Sequence, residues 1–332
     1  MPLKVSAGTG YVGVRSPAHP VAAALLEASQ LPVAAPSANR FGHVSPTSAA
    51  HVLSDLGGQP IGVLDAEGGA AAEAQQHSTC AVGIESTVLG ISDDGKTLTM
   101  FRRGGLPKAD IAAALQAAGV AGWVWAESAA AAQSAGSAAD TAAAASNDTD
   151  TAEEAASGGE DAAPAAVAPG QLLTHYAPDI VTYMLPALPA GAGAVVGDAP
   201  ELRHCALIDF AGTYAALQPL VGAYHDLSAE GDAAAAAQGV YAALRWTEAA
   251  AAAEGSDIRL VLLPSAALAE GDDAAAAVRS GHGMASAVVD RLFRAASGKR
   301  LPVGAGAWGE ALLGGVRAVL PAEHSGAAVK HV

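Results

Sequence analysis

The run from Ser16 to Gly58, SPAHPVAAALLEASQLPVAAPSANRFGHVSPTSAAHVLSDLGG, changes its hydrophobic period twice. Over Pro20–Ala28 the residues Val21, Ala24, Leu25 and Ala28 recur at i, i+3, i+4 and i+7, which is one face of a helix. Leu31–Ala35 then reads as a short strand, stopped by Pro36. Ser45-Pro46-Thr47 reads as an N-cap followed by proline at the first helical position. The helix behind it stacks Ala49, Val52, Leu53 and Leu56 and ends at Gly57-Gly58. Helix, strand and helix in this order belong to an α/β fold.

The same pattern extends outward. Upstream, Tyr11–Val14 reads as a short strand ending at Arg15. Downstream, Ile84–Leu89 and Leu98–Arg102 read as strands joined by a hairpin around Asp93-Asp94-Gly95. Further on, Ile180–Leu185, Cys205–Phe210, Ala223–Leu227 and Ile258–Leu263 are strand candidates separated by Ala-rich helices. The clearest helix is Met284–Ala296, with Val289, Leu292, Phe293 and Ala296 on one face. Alternation of this kind predicts a parallel sheet. The Gly/Ala-rich stretch 300–332 reads as a loose tail.

Between the two α/β blocks lies a different kind of chain. Ala126–Ala168 holds no apolar side chain larger than Val and cannot build a core, so it reads as a disordered insertion. Residues 109–170 carry nine acidic and no basic residues, more than half of the net charge of −16. That balance lacks the basic face of a nucleic-acid-binding protein and argues against stable nucleic-acid binding. Hydrophobic residues make up 51% and charged ones 15%, which suits a packed core. At ~150 residues per domain the 332 residues predict two domains. No stretch reaches the ~18 strongly apolar residues of a membrane helix, so no membrane is expected among the partners. Two cysteines, Cys80 and Cys205, are too few for a disulfide scaffold and fit a reducing compartment. The first residues lack a secretory or transit pattern, so a cytoplasmic setting is expected, with mitochondrion or plastid as alternatives if a transit peptide precedes them.

Gly8-x-Gly10-x-x-Gly13 and Gly304-x-Gly306-x-x-Gly309 match the dinucleotide fingerprint, but 38 glycines make chance matches expected, and neither has the strand–helix context. His77 and Cys80 are spaced like half a zinc site with no partner pair nearby, so no protein-held metal is expected.

Four short polar stretches carry more information: Arg15-Ser16-Pro17-Ala18-His19-Pro20; Ala35–Gly42 running into Ser45-Pro46-Thr47; Gly83-Ile84-Glu85-Ser86-Thr87; and Phe101-Arg102-Arg103-Gly104-Gly105. Each lies at or beside a strand end, where an open α/β sheet meets its ligand. Arginine forks pair with carboxylate or phosphate, and Ser and Asn add short uncharged hydrogen bonds. No Ser-His-Asp or paired-carboxylate pattern accompanies them. Each stretch alone reads equally as a cap, a turn or a surface cation; four in order read as a site that binds and orients anions.

In these residues the chain resembles the threonylcarbamoyl-AMP synthase family, through the run from Ser16 to Gly58, through GIESTVLGI (Gly83–Ile91) and through FRRGG (Phe101–Gly105). Ala168-Pro169-Gly170-Gln171 with His175-Tyr176-Ala177-Pro178 resembles the interdomain linker of the two-domain branch of that family. The resemblance implies an α/β protein: a truncated YrdC-like twisted open α/β sheet followed by a Rossmann-like parallel α/β domain. It implies residues 1–121 as the C-terminal part of the YrdC-like catalytic domain, 122–167 as the insertion, 168–179 as a linker over the site, and 180–299 as the Rossmann-like domain.

The implied activity is that of an L-threonylcarbamoyladenylate synthase, a nucleotidyltransferase that uses ATP, L-threonine and bicarbonate, with Mg2+ accompanying ATP. Its product passes to a tRNA threonylcarbamoyltransferase. By the same resemblance Arg15, Ala35 and Ser86 hold L-threonine, and Tyr11, Ser37, Asn39, Ser45, Arg102 and Tyr176 hold ATP, with Arg103 the alternative to Arg102. No covalent catalytic residue is implied.

The family's catalytic domain also carries a Lys-x-Arg clamp for the triphosphate, upstream of the strand that opens this chain. Lys4 has no arginine two positions on. The chain alone is therefore expected not to turn over ATP, and threonine-dependent pyrophosphate release would overturn that expectation. Two alternatives remain: a non-catalytic nucleotide- or RNA-binding homologue acting as a scaffold or regulator, and an unrelated carbamoyl-transfer enzyme that shares the module.

Overall fold

The computed structural model describes residues 6, 11–65, 82–128, 172–187, 199–265, 283–304 and 307–322. Its first part opens with an extended segment and helix α1 (Pro20–Ser29), ended by Gln30 in the left-handed conformation. Helix α2 (Ala49–Leu56) follows, and its N-cap is Ser48, whose hydroxyl accepts the His51 amide at 3.3 Å. The cap therefore lies three residues beyond the expected Ser45, because Pro46 and Thr47 stay outside the helix. Strand β1 (Val88–Ile91) runs antiparallel to β2 (Thr97–Arg102), and the hairpin expected from Asp93-Asp94-Gly95 is present. After α3 (Lys108–Ala117), strand β3 (Val124–Glu127) adds parallel to β2.

Two sequence expectations fail here. Tyr11–Val14 and Leu31–Ala35 form no strand: among the described residues nothing lies in register beside them, and Val14 and Leu31 are largely exposed. Strand β3 also lies inside the segment 122–167 assigned to the insertion. Trp123 and Trp125 pack edge to face at 5.3 Å, and Lys108 sits over the Trp125 ring at 5.0 Å. Those two aromatic residues let a short run beside an Ala-rich tract pair with β2. The remainder of the insertion, Ala168–Gln171 and the His77/Cys80 pair lie outside the described residues.

The second part is a parallel sheet of four strands, β4 (Val181–Met184), β5 (Cys205–Asp209), β6 (Ala223–Asp226) and β7 (Leu260–Leu263), in the spatial order β4-β7-β5-β6. All residues of β5 and β7 are buried, as strands covered on both faces require. Their side chains alternate between two cores. Ala206, Ile208, Val261 and Leu263 face helices α4 (Ala233–Ala252) and α5 (Gly283–Ala295). Cys205, Leu207, Leu260 and Leu262 face α6 (Trp308–Val319) through Leu312 and Val316. Helix α6 corrects the reading of 300–332 as a loose tail: Leu301, Leu312 and Val316 are buried, and the glycines that suggested looseness permit close packing, since a Cβ on Gly315 would strike the Pro302 carbonyl.

The two parts meet in one core. Val44 and Ile84 from the first part, and Tyr176 from the linker, are buried in the cluster that α4 and α5 form with the sheet. The linker adds a backbone bridge, the Ala177 amide donating to the Gly42 carbonyl at 3.0 Å. Among the described residues no helix is long and apolar enough to cross a membrane.

Candidate functional site

Where the two parts touch, a cleft of about 650 Å³ opens. Arg15 and His19 enter it from the segment before α1, and Ser45, Pro46, Thr47 and Ser48 from the start of α2. The loop Gly83–Ser86 leading to β1 forms a third side, and Gln238 and Tyr241 of α4 a fourth. The chemistry is that of an anion site. Arg15 is a fixed cation, and the first turn of α2 presents its dipole and amide groups beside Ser and Thr hydroxyls. Because Ser48 takes the capping role, Ser45 is left on the cleft wall.

The loop Gly83–Ser86 is held tightly. Gly83 has φ +79° and lies so close to α4 that a Cβ would collide with the backbone of Ala237 and Gln238. Only glycine satisfies both conditions. Arg102 on β2 donates to the Ser86 carbonyl from Nε at 3.2 Å and Nη2 at 3.0 Å. The Gly105 amide donates to the Glu85 carbonyl at 3.1 Å. Of the two adjacent arginines, Arg102 touches the cleft loop and Arg103 is buried.

Arg15, Ser45 and Ser86, from three separate segments, line the one cleft. The other six residues drawn from the resemblance lie off its wall. Ala35 and Ser37 sit on the exposed stretch between α1 and α2. Asn39 closes its own turn, its amide donating to the carbonyls of Arg40 at 2.7 Å and His43 at 3.1 Å. The Tyr11 ring lies 6.4 Å from that of Phe101. Arg102 holds the cleft loop from behind. Tyr176 is 1% exposed, has φ +63°, and packs against Tyr241 with ring centroids 5.2 Å apart, one layer behind the wall.

Two ionic clusters join the parts beside the cleft. In the first, Glu85 Oε2 accepts the Tyr241 hydroxyl at 2.6 Å and Arg291 Nε at 3.0 Å. Burial opposes its charge, but Arg291 first, then Arg102 and the Tyr241 hydroxyl, outweigh it and hold the carboxyl down at about 2. Burial and the Glu85 charge push the Tyr176 phenol up to about 12 and Tyr241 well above its usual range, so both stay protonated. In the second cluster Arg245 of α4 forks onto Asp55 of α2, Nη1 to Oδ1 at 3.0 Å and Nη2 to Oδ2 at 2.6 Å, and also donates to the Val44 carbonyl. His43 lies between Asp55 (Nδ1 at 3.0 Å) and Glu248 (Nε2 at 2.7 Å). Burial disfavours its charged form, but the hydrogen bonds to Glu248 and Asp55 outweigh this and raise its pKa.

His43, Asp179 and Glu248 bring three ligand-type atoms within 4.8 Å of one another. The Arg40 guanidinium occupies that space, 2.6 Å from Asp179 and 3.2 Å from His43 Nε2, so the group is an ion-pair cluster in which a cation is already present.

Sequence reading missed Gln238, Tyr241 and Arg291 entirely, since nothing local marks them. Glu85 stood inside a quoted motif, and its one signal was a carboxylate among small residues.

A family model described as "Telomere recombination" matches residues 1–104, and one described as "Threonylcarbamoyl-AMP synthase, C-terminal domain" matches 137–297. The threonylcarbamoyl-AMP synthase of Bacillus subtilis is 44% identical over 112 residues, 34% of this chain and 29% of the relative. That of Pyrococcus abyssi is 40% identical over 111 residues, 33% and 29%, and that of Schizosaccharomyces pombe 44% over 108 residues, 32% and 23%. The aligned stretch thus spans under a third of these curated relatives. Among solved structures, P. abyssi Sua5 complexed with L-threonine superposes with a TM-score of 0.58 at 23% identity, over 89% of this chain and 66% of that one. A variant of the same protein, with a histidine and the next tyrosine replaced by alanine, gives 0.55 at 21% identity, over 89% and 65%. At these identities the superpositions establish the shared fold.

Proposed function

Because this chain belongs to the threonylcarbamoyl-AMP synthase family, we propose that the cleft binds L-threonine and a nucleotide, and that the chain serves the reaction ATP + L-threonine + bicarbonate → threonylcarbamoyl-AMP + pyrophosphate + water. The carrying observation is the convergence of Arg15, Ser45 and Ser86 on one cleft at the start of α2. The presence of L-threonine in the solved relative of the same fold supports the choice of amino acid.

In this reading the Arg15 guanidinium pairs with the threonine carboxylate, while Ser86 and the Ala35 backbone flank its other end. Ser45 and the α2 N-terminus face phosphate. Ser37 and Asn39, with Ala35, come to the ligand as the exposed stretch between α1 and α2 orders over it. Tyr11 completes the nucleotide side, and Arg102 and Tyr176 back it from behind the wall, through the Ser86 loop and Tyr241. The threonine amine condenses with bicarbonate to a carbamate with loss of water, and a carbamate oxygen then attacks the α-phosphorus, breaking its bond to the bridging oxygen and releasing pyrophosphate. The protein positions two anions against each other, neutralises them and excludes water. This suits a cleft whose wall phenol, Tyr241, stays protonated.

Mg2+ takes one or two carboxylates plus phosphate oxygens. The His43 cluster does not fit it, since it contains a ring nitrogen and the Arg40 cation. Asp65 on the cleft wall is the oxygen donor that would hold Mg2+ accompanying the nucleotide, and the ion would neutralise phosphate charge there. The product passes to a tRNA threonylcarbamoyltransferase in the cytoplasm. The part up to β3 serves as the catalytic domain and the part from β4 to α6 as the Rossmann-like domain, linked by 168–179.

Calorimetry tests the reading. The chain is expected to bind L-threonine, and Arg15→Ala to weaken it about 10- to 100-fold, the worth of a charge-assisted pair. No heat with threonine or with AMP, or an unchanged affinity in Arg15→Ala, overturns it.

A further inference from the structure

Arg291 of α5 is fully buried, yet the charge it faces belongs to the other part of the molecule. Its Nε donates to Glu85 Oε2 at 3.0 Å, 206 residues away in the chain, and its Nη2 lies 2.9 Å from the same oxygen. The Tyr241 hydroxyl donates to that oxygen too, and lies 3.2 Å from Arg291 Nε. Arg291 is itself fixed by Asp290 at 2.9 Å and by the Tyr176 ring, 5.5 Å below its guanidinium. Glu85 and Ser86 share the cleft wall, and Ser86 is bonded from the opposite side by Arg102. Nothing in the proposed reaction uses Glu85, and a carboxylate committed to Arg291 and Tyr241 is a poor partner for an incoming anion. Its geometry instead suits it to hold the backbone on which Ser86 stands.

We propose that Glu85, Tyr241 and Arg291 form a positioning triad through which the C-terminal sheet domain sets the Ser86 edge of the cleft in its binding geometry. The recognition half of this proposal rests on the reading of the cleft as a threonine site; the positioning half does not. Arg291 is then a positioning residue that never meets the ligand, and the C-terminal domain supplies part of the site's accuracy. Residues 83–86 are gripped between β2 on one side and α4 with α5 on the other. Loss of the triad releases one grip and leaves Arg102 in place, while the Gly105 bond to the Glu85 carbonyl loosens with the loop.

The test uses the full chain with Tyr241→Phe, which removes one hydroxyl, and Glu85→Gln, which keeps the shape and removes the charge. Hydrogen exchange reads the loop directly. Both variants are expected to speed exchange in peptides spanning residues 83–106, including the Gly105 amide, with α4, β5 and β7 unchanged. Calorimetry is expected to show threonine affinity falling about tenfold with AMP affinity held within about twofold, the size of one charge-assisted hydrogen bond. Unchanged exchange at 83–106 in Tyr241→Phe overturns the triad, as does acceleration spread evenly over the chain, which marks lost fold stability alone. Equal loss of both ligands overturns its selectivity for the Ser86 edge. If the unmodified chain takes up no threonine, the function reading fails by itself, and local exchange still decides the triad.

Discussion

Helices α2 and α4 face each other across the cleft and are built on opposite terms. Helix α4 runs for 20 residues, packs on β5, β6 and α5, and buries eight of its residues. Helix α2 runs for eight and has no residue buried as a whole, though the Asp55 side chain is covered. The same contrast holds for the sheets, since β5 and β7 are wholly buried while β1 is at best half-buried. The residues assigned to ligand contact lie on the lightly buried side, where local opening is easiest. What steadies them is borrowed: Val44 and Ile84 in the larger core, and the ionic seams at Asp55 and Glu85.

The contrast breaks most sharply at Asp55. Asp55→Ala leaves Arg245 and His43 buried without their shared carboxylate, which costs about 3–5 kcal/mol. Urea titration is expected to show that loss, with limited proteolysis cutting first between α1 and α2. A pair of leucines sharpens it. Leu262→Ala in β7, fully buried, is expected to cost about 2–5 kcal/mol, whereas Leu53→Ala on α2, 53% exposed, stays within about 0.5. Equal losses in thermal denaturation would mean that the two parts do not differ in packing as described.

The finest test of the contrast is the pH dependence. His43 is raised above 6.5 in the fold. Its share of stability is complete below 6.5 and is lost as pH rises through the folded value. The groups around it are Asp55, Glu248, Asp179, Arg40 and Arg245. Glu85 is lowered from 4.5 to about 2, so its share is complete above 4.5 and is lost as pH falls through 2. Coupling between the parts is therefore expected to peak between about pH 4.5 and 6.5, read by hydrogen exchange at 83–106. Asp55→Asn removes the partner that helps raise His43 and is expected to move the alkaline edge to lower pH.

Legibility followed the same division. Strands β5 and β7 were readable because continuous apolar runs flanked by turns have few other uses, and α5 showed its buried face in Val289 and Leu292, with Ala296 buried just past its end. Tyr11–Val14 and Leu31–Ala35 misled because an apolar run becomes a strand only beside a partner. Helix α6 was hidden by its glycines, and β3 by the Ala-rich tract that follows it. At the cleft, Arg15, Ser45 and Ser86 stood in motifs, whereas Tyr241 and Arg291 sit in ordinary helical text.

The order of residues alone determined the α/β class, the parallel sheet and the short polar motifs, because periodicity and turn chemistry are local properties. Only the tertiary structure decided that Glu85 is shared with a tyrosine and an arginine from the far end of the chain. Ion pairs across such separations depend on how two cores meet, and no local pattern encodes that meeting.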